Sequence, residues 1–347
     1  MSGQRVLVTG GSGFLAAYCI AELLAAGFQV RATVRSPGRE SAVGDHVAAV
    51  RGDTAGTGAE RLSFAVADLT GDAGWAEAMQ GCDFVLHVAS PFPGSAPEDE
   101  NELIVPAREG TLRVLRAARD AGVARVVMTS SFAAIGYGHP ATEREFTEQD
   151  WTDVDGPGVP PYIKSKALAE RAAWDFMQRD GGTMELSVVN PVGIFGPAFG
   201  PDMSSSLRII QQMVAGKMPG VPNLATAVVD VRDAADLHVK AMTSPKAAGE
   251  RFIAAAGDAV SFRDIAQTLR KRLGPQGTKV ATRPLPSWLV RLAARFVPQF
   301  RAMTGNLDVV RHVDNSKART VLGWTPRSTQ DTVTATAESL IRLGLIP

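Results

Sequence analysis

Residues 5–9 are a short run of apolar and β-branched side chains that leads straight into a glycine turn at 10–13 (GGSG) and then an amphipathic stretch to about residue 26. Gly27 closes that stretch, and 29–34 reads as a second strand ending at Arg35. Strand, glycine turn, helix and strand within about 30 residues make a βαβ unit of the kind that holds a dinucleotide. Gly10 permits the tight turn. Gly13 lets the backbone approach a pyrophosphate lying on the positive end of the helix. Ser12, Phe14 and Leu15 share that contact, and Ala16 in the third glycine position is still small enough for close packing of helix on strand.

The end of the second strand selects the dinucleotide, because an acid there binds a ribose 2′-hydroxyl and an arginine accommodates a 2′-phosphate. Arg35, followed by Ser36 and Arg39, favours NADPH and leaves NADH as a weaker alternative. Residues 37–60, rich in Gly, Ala and charge, read as an irregular loop with a short helix. A third strand at 62–66 brings Asp68 and Leu69 near the adenine, where Asp68 either accepts from the adenine amine or caps a helix before Thr70. After a helix at 72–79, the run 83–89 is a buried parallel strand. His87 within it reads as a core histidine. Ala89 and Ser90 then lie beside the nicotinamide half, with prolines at 91 and 93 forbidding helix, and Ser90 and Phe92 face the substrate.

A helix at 102–121 and a strand at 124–129 lead to Ser130 and Ser131, at the strand end where ligands gather in open α/β sheets. Ser131 is the candidate for a substrate carbonyl, and Ser130 its structural understudy. Beyond a Pro/Gly/Asp-rich loop at 146–161, the segment 162–166 (YIKSK) puts Tyr162 and Lys166 four residues apart on one helix face. A phenol near pKa ~10 exchanges protons poorly at neutral pH, and a neighbouring cation lowers that value. The helix runs to about residue 179. A sixth strand at 184–189 precedes a Pro/Gly-rich segment, 190–197, where Pro191 and Val192 could hold a carboxamide and Phe195 could line the pocket.

At 347 residues the chain calls for two lobes. They divide into a dinucleotide-binding domain at 1–190, rejoined by 225–243, and a substrate lobe from 191–224 and 244–347. The fold class is α/β, a Rossmann-type doubly wound parallel sheet with a smaller C-terminal lobe. Thirty-six basic residues balance thirty-six acidic ones, so no global charge draws the chain to nucleic acid or an anionic membrane. Cys19 and Cys82 sit in apolar patterns without metal-ligand spacing and read as reduced core thiols. With no signal peptide and no apolar run near ~18 residues, a soluble cytoplasmic protein is expected, monomer or homodimer. Phe199 and Met203 could line the pocket or pack in the core. Residues 287–300, apolar with Arg291 and Arg295, read as a lobe helix rather than a membrane-surface one.

In order along the chain, 8–16 (VTGGSGFLA), 33–35 (TVR), 87–92 (HVASPF), 129–131 (TSS), 162–166 (YIKSK) and 190–193 (NPVG) resemble the extended short-chain dehydrogenase/reductase superfamily. More narrowly they resemble the branch of dihydroflavonol reductases, cinnamoyl-CoA reductases and NADPH-dependent aldehyde/ketone reductases. The resemblance runs nearly end to end, and 314–317 (DNSK) with 322–324 (LGW) looks like the family's usual ending. It implies a proton donor at Tyr162, a ribose-binding lysine that lowers the phenol pKa at Lys166, and a carbonyl-orienting serine at Ser131. It also implies phosphate-binding glycines at Gly10 and Gly13 and an NADP-contacting arginine at Arg35. The activity implied is hydride transfer to a small-molecule carbonyl. Sugar-nucleotide dehydratases of the superfamily carry an acidic pair beside the strand-end residue, whereas Ser131 is followed by Phe132, which would face an apolar substrate. Sugar-nucleotide epimerisation, hydroxysteroid oxidation and NADP sensing without turnover remain as alternatives.

Overall fold

The computed structural model describes residues 3–52, 59–91, 99–201, 204–296 and 303–346. Six strands follow the expected order: β1 (Arg5–Val8), β2 (Gln29–Val34), β3 (Leu62–Val66), β4 (Phe84–His87), β5 (Arg125–Thr129) and β6 (Glu185–Pro191). Short strands come next: β7 (Gly193–Phe195), β8 (Val221–Pro222), β9 (Ala225–Thr226), β10 (Val228–Asp230), β11 (Arg251–Ala254), β12 (Val260–Ser261) and β13 (Pro284–Leu285). The main sheet is parallel throughout, in the order β11-β6-β5-β4-β1-β2-β3. Its strand order reverses between β1 and β4, which opens a crevice at their carboxyl ends.

The helices of the first half are α1 (Phe14–Ala25), α2 (Glu40–Arg51), α3 (Trp75–Met79), α4 (Asn101–Asp120) and α5 (Pro161–Asp180). Those of the second half are α6 (Ser205–Val214), α7 (Val231–Thr243), α8 (Phe262–Arg272), α9 (Ser287–Ala293), α10 (Ser316–Leu322) and α11 (Thr329–Arg342). Because strand side chains alternate between faces, Val6, Val8, Val127 and Val189 pack under α1, α2 and α7. Their neighbours Leu7, Val126 and Val188 pack under α3, α4 and α5. A separate core in the lobe joins α6, α8 and α11 through Leu207, Ile210, Ile265, Leu269, Val333 and Leu340.

Four sequence expectations are corrected. The segment 225–243 returns to the main domain through helix α7, while β9 and β10 pair with β12 and β7 outside the main sheet. The seventh strand of that sheet is instead β11, from a segment assigned above to the lobe. Four fully buried residues carry no alternation to betray a strand. Trp324 likewise belongs to the main core, fully buried beside α7 with its indole N–H donated to Asp233 O at 2.9 Å. Residues 40–51 form a regular 12-residue helix, longer than expected, held by Val43 and Val47 on one face.

Helix α9 buries Val290 but leaves Trp288, Leu289 and Leu292 exposed, so it touches the lobe along one side. No helix among the described residues is long and apolar enough to cross a membrane. Buried Arg125 ties sheet to helix: its guanidinium bonds Glu185 and the Ala241, Met242 and Ser244 carbonyls at the end of α7.

Trp324→Ala removes a fully buried indole from the contact between α7 and the chain beyond α10. We expect a loss of about 3–5 kcal/mol in urea unfolding; a loss under ~1 kcal/mol would mean that the C-terminal segment does not hold this core.

Candidate active site

A cleft of about 900 Å³ runs along the carboxyl ends of the parallel strands and over the start of α1. At its centre the backbone of Gly10 turns with φ of +68°, and a Cβ there would stand 2.9 Å from Ala89 Cβ. Only glycine fits where β1 and β4 diverge. Thr33 fixes the turn, its hydroxyl accepting from Gly10 N at 2.9 Å and its carbonyl from Gly11 N at 2.9 Å. Thr9 Oγ1 takes the Ala89 N–H at 2.9 Å and meets His87 Nδ1 at 3.0 Å. Burial holds His87 at a pKa of about 3, with the Lys166 charge acting the same way. It is a neutral core histidine.

Gly13 precedes α1 and offers its first turn no side-chain cap, so the helix start faces the cleft with unpaired N–H groups. A Cβ on Gly13 would crowd Gly10 O at 3.2 Å. This backbone cradle suits a pyrophosphate. Ser12, Phe14, Leu15 and Ala16 line the same stretch.

Towards the far end, Arg35, Asp68 and Leu69 line the cleft together. Asp68 Oδ1 accepts from both Thr70 N at 2.8 Å and Thr70 Oγ1 at 2.7 Å. Those two bonds, then the Arg35 and Arg113 charges, hold its carboxyl below the usual range. It braces a turn well ahead of α3 rather than capping a helix.

At the opposite end the expected trio converges. Pro161 opens α5 at a position where its fixed φ suits a helix and its missing N–H costs nothing. Tyr162 and, one turn on, Lys166 then face the cleft. Ser131 follows the strand in extended geometry, accepts from Ala133 N at 3.1 Å, and is close enough to the Tyr162 phenol to lower its pKa. Burial, reinforced by neighbouring Tyr137, pushes the phenol up to about 12 against the pull of Ser131. Lys166 Nζ donates to Ser90 Oγ at 2.9 Å and lies 6.0 Å from the Tyr162 ring centroid. The sequence led us to expect the lysine to lower the phenol pKa. In the structure burial is the largest influence on the phenol, and the ammonium donates to Ser90.

Behind the trio Glu170, without solvent exposure, collects four donors. They are Ser130 Oγ at 2.5 Å, Asn190 Nδ2 at 2.7 Å, Arg251 Nε at 2.6 Å and Trp174 Nε1 at 3.3 Å. Asn190 also donates to Ser131 O at 3.2 Å, and Arg251 lies 3.9 Å from the centroid of the Trp151 ring. Ser130 is thus structural, as its buried bond requires.

Ala89, Ser90, Pro191 and Val192 all line the cleft. Phe132 does too, but at 7% exposure it is chiefly a packed ring, edge-on to Phe146. Phe195, expected in the pocket, is buried in the lobe core: β7 turns its side chain towards α6. Phe199 packs on Phe14, Tyr18 and His46. Phe92 and Met203 lie outside the described residues. Sequence reading missed Thr33, Tyr137 and Arg311. Glu170 was detectable, since it follows Lys166 by four residues on the same helix face.

Burial draws the Lys166 pKa down to about 8, opposed by Glu170, from 10.5 for a free lysine. Between those values the unfolded chain binds more protons, so burying this lysine costs stability below about pH 8, and the cost fades as pH rises towards 10.5. Lys166→Met should therefore melt at or above the wild-type temperature at pH 7, with the difference shrinking above pH 8 in thermal scans. A variant less stable at pH 7 by a pH-independent margin contradicts this.

A family model described as "NAD dependent epimerase/dehydratase family" matches residues 6–255. A cinnamoyl-CoA reductase of Medicago truncatula is 35% identical over 256 residues, covering 72% of this chain and 76% of that protein. A putative NADPH-dependent methylglyoxal reductase of Candida albicans is 33% identical over 289 residues, covering 78% and 83%. Among solved structures, the yeast methylglyoxal/isovaleraldehyde reductase complexed with NADPH shares the fold with a TM-score of 0.80. That match is 24% identical and covers 99% of this chain and 100% of the other. The chain belongs to the NAD dependent epimerase/dehydratase family, within the extended short-chain dehydrogenase/reductases that its motifs resemble.

Proposed function

We propose that this protein is an oxidoreductase that uses NADPH to reduce an aldehyde or ketone to an alcohol. The observation that carries the reading is the convergence of Ser131 and Tyr162 on the cleft, with Lys166 one helical turn away. The glycine cradle at Gly10 and Gly13 would hold the pyrophosphate, and Arg35 a 2′-phosphate. Lys166 and Ser90 would take ribose hydroxyls, and the segment at Pro191 and Val192 the carboxamide. When bound, NADPH supplies the hydride that reduces the carbonyl carbon.

The chain's own residues then have two tasks. Ser131 donates a hydrogen bond to the carbonyl oxygen and fixes it beside the phenol. Tyr162 delivers the proton that turns the developing alkoxide into alcohol. A phenol pushed up to about 12 keeps that proton throughout the neutral range. Lys166 and bulk solvent replace it between turnovers. The relatives named as NADPH-dependent and cinnamoyl-CoA reductases support carbonyl chemistry.

Consumption of NADPH and NADH with a panel of aromatic and aliphatic carbonyls tests the reading. Tyr162→Phe should lose about 10²-fold or more in kcat while NADPH still binds. Arg35→Ala should narrow the preference for NADPH over NADH roughly tenfold. Retained turnover in Tyr162→Phe removes Tyr162 as donor, and a wild-type protein that binds NADPH but reduces nothing in the panel removes the reductase.

A further inference from the structure

Arg311 reaches the substrate end of the cleft from the C-terminal segment, between α9 and α10. Its guanidinium lies 4.1 Å from the centroid of the Tyr137 ring, and Tyr137 in turn is close enough to Tyr162 to raise its pKa. Two hydrogen bonds hold the group in place: Nε to Gly136 O at 3.0 Å and Nη1 to Asn306 Oδ1 at 3.1 Å. The segment carrying it is itself pinned. Phe146 N donates to His312 O at 2.9 Å, and Asp314 N to Phe146 O at 3.0 Å.

Among the described residues no carboxylate forms an ion pair with Arg311, and only Tyr137 offsets the burial that draws its pKa down. Half-buried Arg232 pairs with Asp230 and buried Arg251 with Glu170, whereas half-buried Arg31 and Arg171 spend their donors on backbone carbonyls. The one carboxylate among the described lining residues, Asp68, is influenced by Arg35. Half-burying an unpaired guanidinium is costly, and arginine's planar fork is suited to oxyanions. Among the described residues Nη2 has no hydrogen-bond partner.

We infer that Arg311 is a specificity residue that receives an anionic oxygen group, carboxylate or phosphate, borne by the carbonyl substrate. The inference rests on the reductase reading for the identity of the ligand as a carbonyl compound. Tyr137 presents the ring on which an aromatic or unsaturated body of that substrate would lie, between the reacting carbonyl at Ser131 and the anion at Arg311.

Matched pairs test this. One is 4-carboxybenzaldehyde against its methyl ester, and the other is 4-formylphenyl phosphate against 4-methoxybenzaldehyde. Each is compared in wild type, Arg311→Gln and Arg311→Lys, with thermal melts to verify folding. The wild-type protein should favour at least one anion over its neutral partner by about tenfold or more in kcat/KM, mainly through KM. The pair preferred shows whether carboxylate or phosphate is the natural group. Arg311→Gln should bring the ratio close to one and Arg311→Lys should keep part of it. A wild-type ratio near one or below in both pairs, or a ratio unchanged in a folded Arg311→Gln, overturns the proposal. Binding of 4-carboxybenzyl alcohol to the NADPH-loaded protein gives a readout without turnover. Binding lost in Arg311→Gln, with no aldehyde reduced, would uphold the anion site while removing the reductase. No binding in wild type, with neutral aldehydes turned over, would do the reverse.

Discussion

The buried carboxylate of Glu170 is the joint on which the Ser131 and Lys166 end of the cleft depends. It gathers the end of β5 through Ser130, β6 through Asn190 and the late strand β11 through Arg251. A charge with no solvent exposure is tolerable only when every lone pair is met, and here four donors meet it. The geometry of Ser131 follows, because Ser130 is fixed by Glu170 and Asn190 holds the Ser131 carbonyl. The same carboxylate favours the charged form of Lys166 one turn earlier on α5. One side chain therefore orients the hydroxyl and supports the ammonium without entering the cleft.

The cleft itself is arranged by charge as well as shape. Arg35, Lys166 and Arg311 are spread along its length, with a single carboxylate among the described lining residues. A net-neutral chain thus keeps a local positive lining, which focuses the field on an anionic ligand. Burial raises the phenol of Tyr162 and lowers the ammonium of Lys166. These are opposite movements with one cause, since in both groups desolvation penalises the charged form.

Local pattern made the dinucleotide-binding unit readable. The glycine turn, the strand-end serines and the four-residue spacing of Tyr162 and Lys166 are short-range signals, and the structure assembles them around one cleft. Less legible was whatever depended on distant segments meeting. β11 has no alternation because both its faces are covered, and Arg311 lies 149 positions beyond Tyr162, beside the DNSK ending but in no pattern that points to a cleft. Phe195 was misplaced for a related reason: an aromatic in a Pro/Gly-rich segment carries no sign of which way β7 will face.

The late entry of β11 bears on how the chain matures. The sheet's outer strand and the indole of Trp324 reach the main domain only after α6 and the first lobe strands have been made. During synthesis, β6 leaves the ribosome with an open edge and waits more than 50 residues for its partner. Parallel pairing over such a separation is slow to close, so the nascent nucleotide-binding half is an incomplete folding unit with an adhesive rim. Both lobes must emerge before either is finished, and a chaperone that shields this rim would act within that interval.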